Sequence, residues 1–223
     1  MPVYLIATLD TKGREIAFVE ERLHALGVES RIIDAGCQGT PAVAADVPRE
    51  AVFAAAGSTL AAERERGDRG ASVTAAATGV ARIVGERFAA GEVDGVLAIG
   101  GSAGTTIGTA AMRALPLGVP KVMVSTLASG QVRPYVGDKD VFMLNAVTDI
   151  AGLNRITRAI LDEAARALAG LIKLPAAPAG GADRPLIAAS MFGVTTPCVE
   201  LARSVLEAAG YEVLVFHATG NGG

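Results

Sequence analysis

Short apolar runs alternate along this chain with longer segments in which apolar residues recur every three or four positions. Runs rich in Val, Ile and Leu are typical of parallel strands buried on both faces, and the longer segments are typical of amphipathic helices. The runs predict strands at residues 3–8, 31–34, 96–99, 121–125 and 141–144. The longer segments predict helices at residues 13–26, 48–56, 73–88 and 153–171. This alternation predicts an α/β fold with a Rossmann-like parallel sheet flanked by helices.

A segment dense in Pro, Gly and Ala at residues 173–185 has the composition of a linker. After it, a strand at 186–190, a helix from Pro197 and a strand at 211–216 repeat the order found at the start of the chain. We therefore expect a Rossmann-like domain at 1–172, a linker at 173–185 and the first βαβ of a second, truncated α/β domain at 186–223. Because a single βαβ buries little surface, we expect that the chain is a fragment or that this piece packs on a neighbour.

Composition narrows the range of partners and locations. The chain is 51% hydrophobic but only 4% aromatic, and its net charge is −3. This balance gives no electrostatic reason to expect nucleic acid or a membrane as the main partner. The two cysteines form no CxxC pattern, which argues against a zinc site and a disulfide framework. We find no signal peptide and no apolar segment as long as a bilayer span, so we expect a cytoplasmic protein.

The pattern is weakest between residues 35 and 70. The charged run ERERGDR at 63–69 predicts a solvent-exposed surface turn. Asp34 ends the second predicted strand, where many dinucleotide-binding proteins have a ribose-binding acid. No glycine fingerprint precedes it, so we favour a structural role for Asp34. Asn154 lies at the start of the last predicted helix of the first domain, where a helix cap, an inter-subunit contact or a nucleotide contact would explain it.

The strand predicted at 96–99 runs into a glycine cluster, Gly100, Gly101 and Gly104, and a helix follows it. A buried strand, a turn with few side chains and a helix N-terminus in this order predict an anion site, with phosphate as the expected ligand. The alternative is that these glycines only let the helix pack closely on the strand. The loop fits neither the GxxxxGK[ST] pattern of Walker A loops nor the GxGxxG dinucleotide fingerprint.

Six segments of this chain together resemble the UPF0261, or Tm-1-like ATP-binding, proteins. They are TLDTKGRE (8–15), GGSAGT (100–105), VSTLASG (124–130), RPYVG (133–137), DIAGLNRI (149–156) and FHATG (216–220). The resemblance implies two Rossmann-like domains in a chain about twice as long, ATP bound by the amino-terminal region, and self-association. The chain departs from the family pattern at Ala103, where the family has glycine, and at Asn221, which interrupts a Thr-Gly-Gly sequence.

The resemblance and the strand ends together predict the binding residues. Backbone N–H and hydroxyl groups of the loop would hold the phosphates, and further polar residues would lie at the ends of the neighbouring strands. The predicted cofactor-binding residues are Thr8, Asp10, Thr11, Lys12, Gly13, Gly100, Gly101, Ser102, Ala103, Gly104, Thr105, Ser125 and Thr126. Lys12 would balance phosphate charge, and Asp10 would hold magnesium or a ribose hydroxyl. No catalytic residue and no metal site of protein ligands is predicted.

Three functions are compatible with these features. The first is a homo-oligomeric module that binds ATP with magnesium and engages another protein or an unknown substrate. The second is an ATP-dependent enzyme, a kinase or a ligase, because residues 100–105 are distantly like the Gly-Gly-Asp-Gly-Thr loop of NAD kinases and phosphofructokinases. The aspartate of that loop is absent here. The third is an oligomeric structural subunit whose glycine loop only packs.

Overall fold

A computed structural model describes residues 1–174, 176–177 and 183–220 of the chain. Contacts divide it into two compact units, residues 1–175 and 176–223, which are described separately. Residues 175 and 178–182 of the predicted linker at 173–185 lie outside the described residues, as does Asn221. No described helix is long and apolar enough to cross a membrane.

The first unit is built on one five-stranded sheet. Its strands are β1 (Val3–Ala7), β2 (Ser30–Asp34), β3 (Gly95–Gly100), β4 (Lys121–Ser125) and β5 (Phe142–Asn145). All neighbouring pairs are parallel, and the order across the sheet is β2-β1-β3-β4-β5. Every residue of β1, β3 and β4 is buried, as expected for strands covered on both faces. The predicted Rossmann-like α/β architecture is confirmed.

The helices of this unit cover both faces of the sheet. They are α1 (Leu9–Ala25), α2 (Arg49–Ala55), α3 (Leu60–Arg66), α4 (Arg69–Ala89), α5 (Ser102–Arg113), α6 (Arg133–Val136) and α7 (Arg155–Lys173). One core cluster joins Leu5 and Leu97 of the strands to α1 and α7. The other joins Ile6 and Ala98 to α2, α4 and α5. Side chains of alternate strand residues therefore pack against helices on opposite faces of the sheet, with α1 on one face and α5 on the other.

Two helices begin four residues earlier than the sequence predicts. Helix α1 begins at Leu9 rather than at residue 13, and a non-helical Lys12 (φ −126°, ψ 15°) separates its first turn from the rest. Helix α4 begins at Arg69 rather than at residue 73, because the Asp68 side chain caps it by accepting the N–H of Ala71 at 3.0 Å. Asn154 is the N-cap of α7 and forms a capping box with Thr157.

The charged run at 63–69 is exposed as the sequence predicts, except at Glu63, but most of it is helical rather than a turn. Its first part belongs to α3, and Glu63 is only 1% exposed. The Glu63 carboxylate accepts hydrogen bonds from Ser58 Oγ at 2.6 Å and from Arg66 Nη1 at 3.0 Å. The prediction of exposure was wrong for Glu63, because Ser58 before it and Arg66 after it supply the hydrogen bonds that allow its carboxylate to be buried.

The second unit has the strand–helix–strand order that the sequence predicts. Strands β6 (Leu186–Met191) and β7 (Glu212–His217) are parallel, and α8 (Thr196–Ala208) connects them after a 3₁₀ turn at Gly193–Thr195. Several of its large apolar side chains are exposed, namely Leu186, Phe192, Val194, Leu201, Val205, Leu214 and Phe216.

Candidate functional site

The strand order creates a crevice at the carboxyl ends of β1 and β3. From β1 the chain passes through α1 to β2 on one side, whereas β3 lies on the other side of β1 and continues into α5 on the opposite face. The loops that follow β1 and β3 therefore diverge. Ligands of open α/β sheets bind at this kind of topological switch point.

A cleft of about 420 Å³ lies at this position. Four segments line it: the ends of β1 and β2, the start of α4 and the start of α5. The lining residues are Thr8, Asp10, Thr11, Ala35, Cys37, Gln38, Gly67, Arg69, Ser72, Val73, Ala103 and Ile107. The structure thus brings the turn at 8–11 together with Ala103 of the loop at 100–105, the residue of that loop that lines the cleft.

Helix α5 presents backbone donors at this cleft. Its first intrahelical hydrogen bond runs from the N–H of Thr105 to Gly101 O at 2.8 Å. The N–H groups of Ser102, Ala103 and Gly104 precede that bond, so no carbonyl of the helix can accept from them. No side chain of the described residues caps this helix terminus. These donors and the positive end of the helix dipole favour an anion.

The glycines of the loop have different roles. A Cβ on Gly100 would lie 2.7 Å from Gly104 Cα, and one on Gly104 would lie 2.9 Å from Ile99 O. These two glycines are therefore required for close packing of α5 on β3, as the packing alternative predicts. A Cβ on Gly101 would meet Thr126 Oγ1 at 3.7 Å, an ordinary contact. Packing alone thus does not explain the glycine at 101.

Thr105 and Ser125 do not lie at the surface of the cleft. Both are fully buried, and their hydroxyl oxygens are 2.6 Å apart. The Thr105 hydroxyl also donates to Gly101 O at 2.8 Å, and Ser125 Oγ accepts the N–H of Leu127 at 2.9 Å. The two buried side chains therefore stabilise the loop through hydrogen bonds to its backbone and do not line the cleft. Thr126 is half-buried beside Gly101 and is not among the residues that line the cleft.

The turn after β1 contributes hydroxyls and a carboxylate. Thr8 Oγ1 and Thr11 Oγ1 are 2.6 Å apart. The Asp10 carboxylate accepts the N–H of Gln38 at 3.0 Å, and its side chain is only 6% exposed. Asp10 therefore supports the loop after β2 as well as lining the cleft. Gly13 is buried, and a Cβ there would lie 2.9 Å from Ala42 Cβ, so its position is explained by packing.

Asp34 has the structural role expected for it. One carboxylate oxygen accepts the N–H groups of Leu9 at 3.1 Å and Gly36 at 2.8 Å. The other oxygen accepts from Arg49 Nε at 2.6 Å. Both side chains of this ion pair are almost completely buried. Asp34 thus fixes the end of β2 and is not free to bind a ribose.

Several cleft residues were not predicted from the sequence. They are Ala35, Cys37 and Gln38 after β2, and Arg69, Ser72 and Val73 at the start of α4. Asp68 followed by helix-forming residues was a usable N-cap signal for α4. The adjacency of β1 and β2 could have placed residues 35–38 at the same edge. In the part of the chain that the structure describes, no three His, Cys, Asp or Glu side chains cluster as metal ligands would.

Comparison with known proteins gives the family. The sequence model described as Uncharacterised protein family (UPF0261) N-terminal domain matches residues 1–177, and the corresponding C-terminal domain matches residues 184–223. This chain belongs to the UPF0261 family. The resemblance seen in the six sequence segments is thereby confirmed.

Bacterial and plant proteins are similar to this chain. UPF0261 proteins of Clostridium tetani and of Rhizobium meliloti are each 44% identical over 221 residues, which is 99% of this chain and 54% of each relative. The ToMV resistance protein Tm-1(GCR237) of Solanum lycopersicum is 43% identical over 133 residues, which is 58% of this chain and 18% of that protein. The chain spans about half the length of the bacterial relatives.

Proposed function

We propose that this chain binds ATP, with the phosphates at the amino terminus of α5 and the rest of the nucleotide in the cleft between the turn at 8–11 and the start of α4. The main support is a set of three backbone N–H groups, on Ser102, Ala103 and Gly104, which precede the first hydrogen bond of α5. Gly101, next to them, has room for a Cβ. Packing requires glycine at 100 and 104 but not at 101.

The size and charge of the cleft suit this ligand. Small-molecule sites commonly enclose about 300–1,000 Å³, and this cleft encloses about 420 Å³. Arg69 is an exposed cation on its wall and would interact with the phosphates. The hydroxyls of Thr8 and Thr11 and the side chain of Ser102 would add hydrogen-bond donors. Lys12 would contribute charge from the same turn.

Magnesium accompanies ATP in this proposal. Mg²⁺ is usually held by phosphate oxygens, water and one or two carboxylates. Of the described residues that line the cleft, Asp10 is the acidic one, and one of its oxygens already accepts the N–H of Gln38. Asp10 therefore fits as a single carboxylate partner of a phosphate-bound magnesium ion.

The family supplies a further part of the proposal. The tomato relative is named as a ToMV resistance protein. By analogy we propose that this chain is a cytoplasmic, self-associating module whose nucleotide-bound form engages another protein. No described group is placed as a catalyst, so binding rather than chemistry is the proposed activity.

Calorimetric titration with ATP and MgCl₂ tests the proposal. We expect Gly101→Val to weaken ATP binding by about tenfold or more, because its branched side chain lies in the path of the phosphates. Gly170→Val is the matched control, since a Cβ at Gly170 meets nothing within 4 Å. Absence of ATP binding, or equal affinity in both variants, overturns the proposal. Release of phosphate in the same samples would instead indicate an ATP-dependent enzyme.

A further inference from the structure

The two edges of the five-stranded sheet differ in what covers them. At the β2 edge, the N–H of Val47 donates to Ile32 O and its carbonyl accepts the N–H of Asp34, both at 3.0 Å. At the opposite edge, β5 is hydrogen-bonded to β4 and to no other strand in the part of the chain that the structure describes. An edge strand whose backbone groups are unpaired can pair with another chain. The β5 edge is therefore a candidate interaction surface.

The direction of the backbone hydrogen bonds shows which groups of β5 are free. The N–H of Ala146 donates to Ser125 O at 3.1 Å, across the parallel pair of β4 and β5. Because the backbone groups of successive strand residues point to opposite sides, those of Leu144 also bond to β4, whereas Met143 and Asn145 direct their N–H and C=O groups away from the sheet. None of these outward groups bonds to a described residue. The open edge of β5 thus offers alternating donors and acceptors.

Apolar side chains along this edge are exposed to solvent. Phe142, the first residue of β5, is 56% exposed, and Val147, just beyond its end, is 67% exposed. Leu144 is half-buried and packs against the core cluster that includes α1 and α7. Burial of apolar surface is the main favourable contribution to most protein association. An occupant of this edge would therefore gain apolar contacts as well as backbone hydrogen bonds.

We propose that β5 pairs antiparallel with β5 of a second copy of this chain, so that one sheet continues across a two-fold axis. In such a pair the same residues of both copies meet. Pairing Met143 with the partner's Asn145 brings each outward N–H against an outward C=O. Leu144 then lies opposite the partner's Leu144, and Phe142 reaches the same side chain diagonally. This inference rests on the self-association in the proposed function and not on ATP binding.

The charges at the two ends of β5 favour this register over its neighbours. Lys139 precedes the strand and Asp149 follows it, so the register sets Lys139 beside the partner's Asp149. A shift in one direction would set Lys139 beside the partner's Val147. A shift in the other would set Val141 beside the partner's Asp149. Asp138 is adjacent to Lys139, so the net attraction is small, and backbone hydrogen bonds and apolar contacts provide most of the affinity.

Sedimentation velocity of the whole 223-residue chain tests the pairing, with Asn145→Pro as the main variant. Proline removes the outward N–H and places its ring at the edge, and edge strands tolerate proline where the N–H does not bond within the sheet. We expect the dimer Kd to rise by about tenfold or more. Asn145→Ala is the matched control, because it loses the same side chain but keeps the N–H, and it should dimerise as the parent chain does. Thermal unfolding establishes that both variants fold.

Disulfide cross-linking tests the register in a Cys37→Ser, Cys198→Ser background. In the proposed pair the Cα atoms of Leu144 and its symmetry mate are about 4.5 Å apart, within the range of about 4.4–6.8 Å that disulfides span. Phe142 and its mate are offset by about 13 Å along the strands. We expect Leu144→Cys to cross-link about fivefold faster than Phe142→Cys or more, although Phe142 is the more exposed of the two residues. Random collision would give the opposite order.

Three results would overturn the inference. A parent chain that is monomeric at about 200 µM would remove self-association as well, whereas ATP binding is measured independently by calorimetry. Equal dimer Kd values for Asn145→Pro and Asn145→Ala would show that the copies associate through another surface. Cross-linking of Phe142→Cys as fast as that of Leu144→Cys would contradict the proposed register, and this comparison decides the question if Asn145→Pro does not fold.

Discussion

The N–H of Gly152 donates a hydrogen bond to Oε1 of Glu15 at 2.7 Å, although 137 positions separate the two residues. Glu15 is 3% exposed, and it lies on α1. Gly152 has φ +86° in the segment before α7. This bond joins two of the six segments that carry the family resemblance. It explains part of both segments by structure rather than by ligand binding.

Removal of the Glu15 carboxylate should destabilise the fold. Glu15→Ala leaves the N–H of Gly152 without its acceptor, so we expect the free energy of unfolding to fall by about 1–3 kcal/mol. Glu15→Gln keeps an acceptor oxygen and should lose less. Urea unfolding measures both, with the exposed Glu21→Ala on the same helix as the control. Equal stability of Glu15→Ala and Glu21→Ala would show that the bond contributes nothing.

The two adjacent glycines of the loop should respond differently to alanine. In Gly100→Ala the new Cβ would lie 2.7 Å from the backbone of α5, and overpacking of this kind costs about 1–3 kcal/mol. In Gly101→Ala the nearest atom is 3.7 Å away, so we expect a change within about 0.5 kcal/mol. Thermal or urea unfolding of the two variants and the parent chain measures the change in the free energy of unfolding. A larger loss in Gly101→Ala than in Gly100→Ala would contradict our assignment of their roles.

The ion pair between Lys121 and Asp140 should make stability depend on pH. Partial burial opposes ionisation of Asp140, but the ammonium of Lys121 and the N–H of Gly118 donate to its carboxylate and hold its pKa below the usual value of 3.8. A carboxylate with a lowered pKa in the folded state stabilises the fold above its unfolded pKa, and this contribution is lost as pH falls through the folded pKa.

We therefore expect Asp140→Asn to be less stable than the parent chain at pH 7 and to lose less stability on acidification below about pH 4. Lys121 is completely buried, so the variant also replaces the charged partner of its ammonium by a neutral amide oxygen, beside the two backbone acceptors Pro116 O and Val119 O. The exposed Asp138→Asn is the control. Identical acid unfolding curves for Asp140→Asn and the parent would disprove the role of this pair.

Cys37 offers a chemical test of where ATP binds. It is partly buried and lines the cleft, whereas Cys198 is exposed in the second unit. In a Cys198→Ser background, MgATP should slow the reaction of Cys37 with a thiol reagent by about threefold or more, because a bound ligand restricts access. In a Cys37→Ser background, the reaction of Cys198 should not change. Protection of Cys198 instead of Cys37 would place the nucleotide elsewhere.

The region around β3 and α5 illustrates how much could be predicted. The apolar run, the glycines and the helix start are close in sequence, so their local structure followed from the pattern. The same pattern left open whether the glycines serve packing or a ligand. Only the distance that a Cβ at each position would have to its neighbours distinguished Gly100 and Gly104 from Gly101.

The region between residues 35 and 70 illustrates the opposite case. Its charged residues have no local periodicity, and the sequence predicts an exposed turn at 63–69. In the structure, Glu63 is buried and Arg64 donates to Cys37 O, 27 positions away. The side chain of Asp10 likewise contacts Gln38 across 28 positions. No local sequence pattern predicts these contacts, because they join residues far apart in the chain.

The sequence by itself determined the elements and their class, because strand and helix periodicity, glycine turns and buried apolar runs are set by residues a few positions apart. Parallel pairing followed from the alternation of strands and helices. The tertiary structure decided which side chains line the cleft and which form internal hydrogen bonds instead. Thr105, Ser125 and Asp34 belong to the second group. Those outcomes depend on strand order and on distances between residues far apart in the chain, which no local pattern encodes.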